Sequence, residues 1–232
     1  MKDKGFAVTP KIVVQLLIVV VLIPLLPLLI TWRWNWWEAW AYAVISIVGF
    51  IASRALVARR NVDLLAERAR MIDHDDTEPW DRVLAPLVGV GGGLIPLIAG
   101  LEVAGSPEPT YSTAVKVVAV FVLLAGYVLG TLALLANRFF SGVVRIQTDR
   151  GHHVITTGPY GWMRHPGYSG ALMAFLAAPF LLDGRWALFA AALLAIALVV
   201  RTHLEDQTLQ AKLPGYADYA RRVRFRLLPG IW

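Results

Sequence analysis

Four long apolar segments, separated by short polar stretches, make up most of the first 136 residues. They cover residues 12–31, 36–58, 83–101 and 114–136. About 20 apolar residues suffice for a helix to cross a bilayer. Within the bilayer such a segment forms a helix, because a helix pairs its backbone N–H and C=O groups within the segment. The pattern therefore predicts four transmembrane helices, the first of them kinked at Pro24 and Pro27.

The pattern changes after residue 136. Two shorter apolar runs, residues 168–182 and 186–200, are separated only by the polar triplet 183–185. Each run is short for a full crossing, so we predict a helical hairpin that either crosses the bilayer or is partly embedded. Its second arm continues as a polar helix over residues 201–213 and ends at Pro214-Gly215. The predicted fold class is all-α integral membrane, with five to six spans and a cytoplasmic C-terminal tail.

Composition and charge agree with this interpretation. Of 232 residues, 57% are hydrophobic and 16% are charged, against about a quarter charged in soluble domains. Lys and Arg concentrate in residues 54–82, residues 137–164 and the tail, and the positive-inside rule then assigns both termini to the cytoplasm. The net charge of +6 is thus attributed to topology, because no basic stripe with interleaved aromatic residues indicates nucleic-acid binding. The Ala- and Leu-rich composition suggests a prokaryotic cell membrane.

Two local patterns predict packing or anchoring instead of chemistry. An aromatic belt at one membrane interface is predicted for Trp32, Trp34, Trp36, Trp37 and Trp40. The glycine-rich residues 89–93 lie inside an apolar span, without the strand and Lys-Ser/Thr of a phosphate loop. They therefore predict close helix packing.

Polar residues concentrate in two blocks beside the hairpin. The first block contains Gln147, His152, His153, Tyr160, Arg164, His165 and Tyr168. The second contains Arg201, His203, Glu205 and Asp206. Both blocks fall on the predicted cytoplasmic side, so we expect a shared cavity open to cytosol and lipid. The alternatives are a solvated basic loop and an ordinary ion pair between Arg201 and Glu205, which share one helix face.

Metal and thiol chemistry are not predicted. The chain has no cysteine, which excludes disulfides, thiolate zinc sites and a cysteine nucleophile. His152 and His153 are adjacent and lack the helical His-x-x-x-His spacing of a zinc site, so no metal is assigned.

The motifs resemble a known membrane enzyme family. The chain resembles the isoprenylcysteine carboxyl methyltransferase and phospholipid methyltransferase superfamily in three motifs. They are, in chain order, Gly158-Pro-Tyr160, Arg164-His165-Pro166-x-Tyr168-x-Gly170 and Glu205-Asp206. The tail, with Pro214-Gly-Tyr216-x-x-Tyr219 and residues 224–232, resembles bacterial members. The resemblance covers residues 137–232. The chain departs from the family pattern at one point, because it has Glu205-Asp206 where Glu-Glu is usual.

The resemblance implies S-adenosylmethionine as cofactor. Cofactor-binding roles carry over to Gln147, His152, His153, Val154, Ile155, Tyr160, His165, Pro166, Gly167, Tyr168 and Glu205. Arg201 would face the acceptor, and Arg201, Glu205 and His165 form the implied catalytic set. Residues 137–232 would be the catalytic region and residues 1–136 a membrane anchor. The implied partners are the lipid bilayer and a small or lipophilic methyl acceptor. An isoprenylcysteine-like carboxylate is one option for this acceptor.

Elementary chemistry is compatible with these roles. A carboxylate such as Glu205 suits the ammonium of the cofactor, and the faces of Tyr160 and Tyr168 suit a sulfonium or an adenine. Two other function classes stay open. An NADPH-dependent reductase of the sterol-reductase type would use Arg145, Arg150 and Arg164 for a phosphate. A non-enzymatic membrane protein, such as a transporter subunit, is the third class, and the sequence leaves the oligomeric state undetermined.

Overall fold

A computed structural model describes residues 10–69, 74–106 and 108–232, and it confirms the all-α integral membrane class. Within these ranges the chain forms helices and loops and no strand. In the described part of the chain, five helical segments are long and apolar enough to cross a membrane: Val13–Thr31, Trp37–Ala58, Asp81–Gly105, Thr113–Ala136 and Ala187–Lys212. The predicted position of the N-terminus lies outside the described residues.

The first segment is a helix with an irregular turn. Helix α1 (Pro10–Leu17) continues through a π-helical turn (Ile18–Leu22) into α2 (Ile23–Thr31). The ring of Pro24 disturbs the carbonyl four residues earlier, which belongs to this widened turn. The predicted distortion near the prolines is therefore present, with a π-helical turn as its form.

Helices α3 (Trp37–Ala58) and α4 (Val62–Ala69) follow. Helix α4 is short and amphipathic, and its Leu64 is fully buried against Val57 of α3 and Leu134. This contact holds α4 at the end of the bundle where the predicted polar blocks lie.

The third span is broken at its glycines. Helix α5 (Asp81–Gly91) and helix α6 (Leu94–Gly105) are separated by Gly92 and Gly93. A Cβ at Gly91 would lie 2.6 Å from a methyl carbon of Leu194, and one at Gly92 would lie 3.0 Å from the Phe175 ring. The predicted close helix packing is confirmed at Gly91, Gly92 and Gly93, whereas a Cβ at Gly89 would meet no atom within 4 Å.

The predicted hairpin is present, and its first arm packs on the preceding helix. Helix α7 (Thr113–Ala136) lies against α8 (Pro166–Leu181), and a Cβ at Gly170 would be only 2.5 Å from the Gly126 carbonyl oxygen. The second arm, α9 (Ala187–Lys212), extends past its apolar part and ends before Pro214-Gly215, as predicted. A short helix α10 (Tyr216–Arg222) begins the tail.

A buried charge cluster that the sequence analysis did not single out joins three helix ends away from the polar blocks. The Lys116 ammonium donates to Glu38 at 2.8 Å and also contacts Asp183. The second Asp183 oxygen accepts hydrogen bonds from the backbone of Thr110 and Tyr111 at 3.1 and 3.0 Å. These bonds tie the turn of the hairpin to the loop before α7.

The five tryptophans of the predicted aromatic belt lie at the end of the bundle that carries this charge cluster. Trp32, Trp34, Trp37 and Trp40 are exposed, as an aromatic belt at a membrane interface requires. Trp36 differs from the prediction, because it packs partly buried against the core of α2, α6 and α9.

Candidate functional site

A polar cleft lies between the loop of residues 137–165, the start of α8, the end of α9 and the tail. Nine of the eleven predicted cofactor residues line it: Gln147, His152, His153, Val154, Ile155, Tyr160, His165, Tyr168 and Glu205. The other two do not: Pro166 is buried in the first turn of α8, and Gly167 faces a separate apolar groove. The cleft also contains residues that the sequence analysis missed, including Asn137, Phe139 and Phe140.

Gln147 organises the loop that forms one wall of the cleft. Its side chain is buried, and its amide nitrogen donates to the Phe139 carbonyl at 2.7 Å. Its amide oxygen accepts a hydrogen bond from Arg150. Because both ends of the amide are already paired with protein groups, Gln147 shapes the wall instead of offering a free polar group to a ligand.

The two adjacent histidines surround the Phe139 ring. Ring centroids of His152 and His153 lie 4.7 and 4.9 Å from that of Phe139. The His152 Nδ1 accepts a hydrogen bond of 3.3 Å from the Gln147 backbone, which requires an unprotonated nitrogen. Burial, with repulsion from nearby positive charges, lowers the pKa of His152 to about 4. His152 is therefore a neutral aromatic surface at pH 7.

The segment that begins at His153 has backbone groups without protein partners, and its residues 153–155 line the cleft. Residues 153–156 have no regular secondary structure, and within the described structure their backbone N–H groups donate no hydrogen bond to protein. Backbone groups are strong donors and acceptors that require partners. Val154 and Ile155 thus combine apolar side chains with backbone groups that can pair with a ligand edge.

Tyr168 is held between a histidine and an arginine. Its ring stacks in parallel on His165, with centroids 5.8 Å apart, and the Arg201 guanidinium lies 5.2 Å from the ring centroid. The Tyr168 hydroxyl donates to the Glu205 carboxylate. This arrangement fixes the ring and directs Glu205 toward the cleft.

Asp206, next to Glu205, is the centre of a buried hydrogen-bond network. Its carboxylate accepts bonds from five side chains: Arg164, His165, Gln210, Tyr216 and Arg226. The bond from His165 Nε2 measures 3.3 Å. Asp206 thus joins the Arg164-His165 turn, α9 and the tail. The motif named this residue, but only the structure reveals its partners.

The tyrosines of the tail complete the cleft wall. The Tyr219 hydroxyl donates to the Tyr160 carbonyl at 2.7 Å, and Asn137 donates to the Tyr160 hydroxyl at 3.2 Å. Burial raises the pKa of Tyr160 and of Tyr219 above their usual range. These hydroxyls stay protonated near neutral pH and act as neutral hydrogen-bonding groups.

Arg201 does not form the ion pair with Glu205 that the helix spacing suggested. Its Nε and Nη2 donate to the two oxygens of Asp81 at 2.7 and 3.0 Å. Nη2 also donates to the Gly142 carbonyl at 2.9 Å. Asp81 begins α5, and no sequence signal indicated that it would meet α9. The pair fixes the guanidinium beside the Tyr168 ring.

An apolar groove lies on the other side of Tyr168. It runs between α3, α5, α7, α8 and α9, encloses about 420 Å³, and has Arg201 at its polar end together with Arg54 and Arg68. Tyr168 and Phe140 line both the polar cleft and this groove. The two spaces therefore meet at these rings.

The three arginines considered for a nucleotide phosphate are already engaged. Arg145 donates to Glu67 at 3.0 Å and to Asp76 and Asp149 at 3.0 and 2.9 Å. Burial opposes the charge of Arg145, but these hydrogen bonds raise its pKa above the usual range. Arg150 bonds to Gln147 and to the Arg138 carbonyl, and Arg164 bonds to Asp206.

Comparison with known proteins supports the resemblance found in the motifs. Residues 117–211 match the isoprenylcysteine carboxyl methyltransferase (ICMT) family. Two curated proteins, from Oryza sativa subsp. indica and subsp. japonica, are named probable protein-S-isoprenylcysteine O-methyltransferase. Each is 43% identical over 60 residues, which cover 25% of this chain and 31% of the relative. The chain spans about a third of the length of these curated relatives.

Proposed function

Starting from the family match of residues 117–211, we propose that the chain is an integral membrane S-adenosylmethionine-dependent methyltransferase acting on a small or lipophilic acceptor. One observation carries the proposal. A polar cleft with a carboxylate and an apolar groove with guanidinium groups meet at Tyr168. A methyl transfer between a polar donor and a lipophilic acceptor requires two adjoining sites, so that the methyl carbon and the acceptor atom can come into line.

The chemistry of the cleft fits the donor. Glu205 offers a carboxylate for an ammonium, and the rings of Phe139 and Tyr160 offer faces for an adenine or a cationic sulfur. The unpaired backbone of residues 153–156 suits the hydrogen-bonding edge of a base. S-adenosylmethionine, when bound, supplies an electrophilic methyl group on its sulfonium.

The size of the cleft adds a requirement. It encloses about 70 Å³, whereas pockets for ligands of drug size hold about 300–1,000 Å³. Donor binding must therefore widen the cleft. His153 is exposed, and the irregular residues 154–156 beside it donate no backbone hydrogen bond within the described structure, so we propose that this segment moves outward.

We propose that the residues around the acceptor promote the reaction mainly by aligning the acceptor with the methyl group, and less by transferring a proton. Holding two reactants in line contributes several kcal/mol toward a barrier. Arg201, fixed by Asp81 at 2.7 Å, would orient an acceptor group at the Tyr168 ring. A carboxylate is already nucleophilic at neutral pH and needs no base. An amine acceptor would need one, and Glu205 or His165 is the candidate. An isoprenylcysteine-like carboxylate is one acceptor of the first kind.

We also propose the cellular arrangement. The end of the bundle that carries the cleft would face the cytoplasm, since the basic loops cluster there, and both termini would lie on that side. The host membrane would be prokaryotic. Residues 137–232 would supply the donor site, while the helices of residues 1–136 would anchor the chain and contribute the far wall of the groove.

Calorimetry on the purified chain tests the donor assignment. We expect saturable binding of S-adenosylhomocysteine and S-adenosylmethionine and none of NADPH. Absence of binding by both sulfur compounds at millimolar concentration would overturn the proposal. Incubation of host membranes with radiolabelled S-adenosylmethionine, followed by identification of the labelled lipid or small molecule, then identifies the acceptor.

A further inference from the structure

The apolar groove is lined by three arginines, and neighbouring carboxylates neutralise fewer positive charges than the groove contains. Arg54 of α3, Arg68 of α4 and Arg201 of α9 all line it. Arg201 is paired with Asp81 through both oxygens. Among the described residues, no carboxylate oxygen lies within 4.0 Å of the Arg54 or Arg68 guanidinium. Arg54 and Arg68 therefore have no acidic partner among the described residues.

Arg68 is held in place by neutral groups. Its Nη1 donates to the carbonyl oxygens of Phe140 and Ser141 at 3.0 and 3.2 Å, and the guanidinium lies 5.3 Å from the Phe140 ring centroid. These contacts orient one edge of the guanidinium but do not neutralise it. The Phe140 ring itself lines the groove, so the charge lies at the junction with the polar cleft.

Arg54 has still fewer partners. Its guanidinium lies 4.5 Å from the Phe50 ring centroid, and its one side-chain hydrogen bond among the described residues is a 3.5 Å contact to the neighbouring Ser53 hydroxyl. Arg54 and Arg68 come from two helices that lie outside the segment matching the family. Their convergence on one groove is thus a feature of the N-terminal half.

Such an arrangement is unfavourable without an anion. Removing a charge from water is costly unless an opposite charge or hydrogen bonds compensate it. Burial, together with repulsion from Arg54 and Arg201, lowers the pKa of Arg68 to about 9. An anion between the two guanidinium groups would relieve both effects.

We propose that Arg54 and Arg68 form an anion-binding site for the carboxylate of a long-chain amphiphile whose chain lies in the apolar groove. Guanidinium groups bind carboxylates through paired hydrogen bonds. The groove walls include Val88, Leu134, Phe175 and Leu198, which suit a hydrocarbon chain. Its volume of about 420 Å³ is within the usual range for ligand pockets. The identification of this ligand as the methyl acceptor rests on the proposed function; its binding does not.

Equilibrium binding of tritiated palmitate to the detergent-purified full chain, measured by scintillation proximity, tests the site. Methyl palmitate serves as the neutral competitor. The variants are Arg54→Gln, Arg68→Gln and their combination. Arg60→Gln is the matched control, because Arg60 is an exposed arginine just after α3 and is outside the groove. The unfolding temperature of each variant is measured in parallel.

We expect saturable palmitate binding that methyl palmitate displaces poorly. Each groove variant should weaken it about tenfold, in keeping with loss of a charge-assisted hydrogen bond, and Arg60→Gln should leave it within about twofold. If Arg68→Gln fails to fold because its carbonyl contacts are lost, Arg54→Gln still decides the matter, because it removes only a long hydrogen bond and a ring contact. Unchanged affinity in the folded groove variants, or equal competition by methyl palmitate, would overturn the inference.

Measurement of S-adenosylhomocysteine affinity in the same samples separates the two proposals. Binding of S-adenosylhomocysteine without saturable palmitate binding overturns the anion site and leaves the methyltransferase proposal standing. Arginine-dependent palmitate binding without S-adenosylhomocysteine binding supports the anion site and overturns the methyltransferase proposal.

Discussion

Asp206 and Arg164 face each other with both oxygens and two guanidinium nitrogens in contact. The Nε–Oδ1 distance is 2.7 Å, the Nη2–Oδ2 distance is 2.8 Å, and the Asp206 side chain is completely buried. Arg164 also donates to the carbonyls of Val223 and Arg224 at 2.7 and 2.9 Å. A single carboxylate thereby connects α9 with the turn before α8 and with the tail.

Asp206→Asn is expected to destabilise the fold strongly. The substitution leaves Arg164 and Arg226 without their shared negative charge, and breaking a buried ion pair costs about 3–5 kcal/mol. Reversible denaturant unfolding in mixed micelles measures the loss. Asp218→Asn is the control, because Asp218 pairs with Arg221 at the exposed surface and should change stability by less than about 0.5 kcal/mol. Similar losses in both variants would contradict the central role of Asp206.

Glu205 and Arg201 are expected to affect different steps. Glu205→Ala removes the carboxylate that faces the cleft and should abolish measurable S-adenosylhomocysteine binding. Arg201→Ala should leave donor binding nearly unchanged but lower turnover, because Arg201 faces the groove. Calorimetry and a methyl-transfer assay provide the two measurements.

This comparison needs a folding control. Arg201→Ala leaves the buried Asp81 carboxylate without its cationic partner, so the double variant Asp81→Asn/Arg201→Ala is measured beside it. Equal losses of donor affinity in the Glu205 and Arg201 variants would show that the proposed division of roles is wrong.

His152 is expected to make stability depend on pH. Its pKa is about 4 in the fold, below the usual 6.5. Above pH 6.5 the ring is neutral in both states and contributes no pH dependence. Between about pH 6.5 and 4 only the unfolded state binds the proton, so stability falls as pH falls. Unfolding temperatures from pH 8 to 4 should decrease more for the wild type than for His152→Gln.

The neighbouring histidine provides the control for this experiment. His153 is exposed, and His153→Gln should keep the acid-dependent decrease of the wild type. Parallel pH profiles for wild type and His152→Gln would contradict the assignment of a neutral, half-buried His152.

Gly170 is expected to tolerate no side chain. A Cβ at this position would lie 2.5 Å from the Gly126 oxygen and 2.9 Å from the Gly130 nitrogen, both backbone atoms that move only if α7 and α8 separate. Gly170→Ala should therefore cost about 1–3 kcal/mol as overpacking. A Cβ at Gly130 meets no atom within 4 Å. Gly130→Ala should be neutral or stabilise by up to about 1 kcal/mol, and an equal loss in both would exclude close packing as the cause.

Donor binding is expected to protect residues 153–156 from amide exchange. Their N–H groups donate no hydrogen bond within the described structure, so they should exchange quickly without ligand and slowly with S-adenosylhomocysteine. Hydrogen–deuterium exchange with mass spectrometry measures this change. Peptides from the middle of α7 are the reference, and protection there but not in residues 153–156 would contradict the assigned position of the donor.

The sequence alone determined the features that depend on neighbouring residues. Apolar length predicted the membrane helices, the triplet 183–185 predicted the hairpin turn, and Pro214-Gly215 predicted the end of α9. These predictions succeeded because hydropathy, helix length and the backbone limits of proline and glycine act locally. The family resemblance likewise named nine residues that line one cleft.

Tertiary structure decided which charges meet. Arg201 and Glu205 share a helix face, yet Arg201 pairs with Asp81, 120 residues away. Arg54 and Arg68 gave no signal as a pair until α3 and α4 brought them to one groove. In lipid, helix association depends on small-residue packing and polar contacts that hydropathy does not encode. The chain pattern therefore specified the helices, while their packing created both spaces that meet at Tyr168.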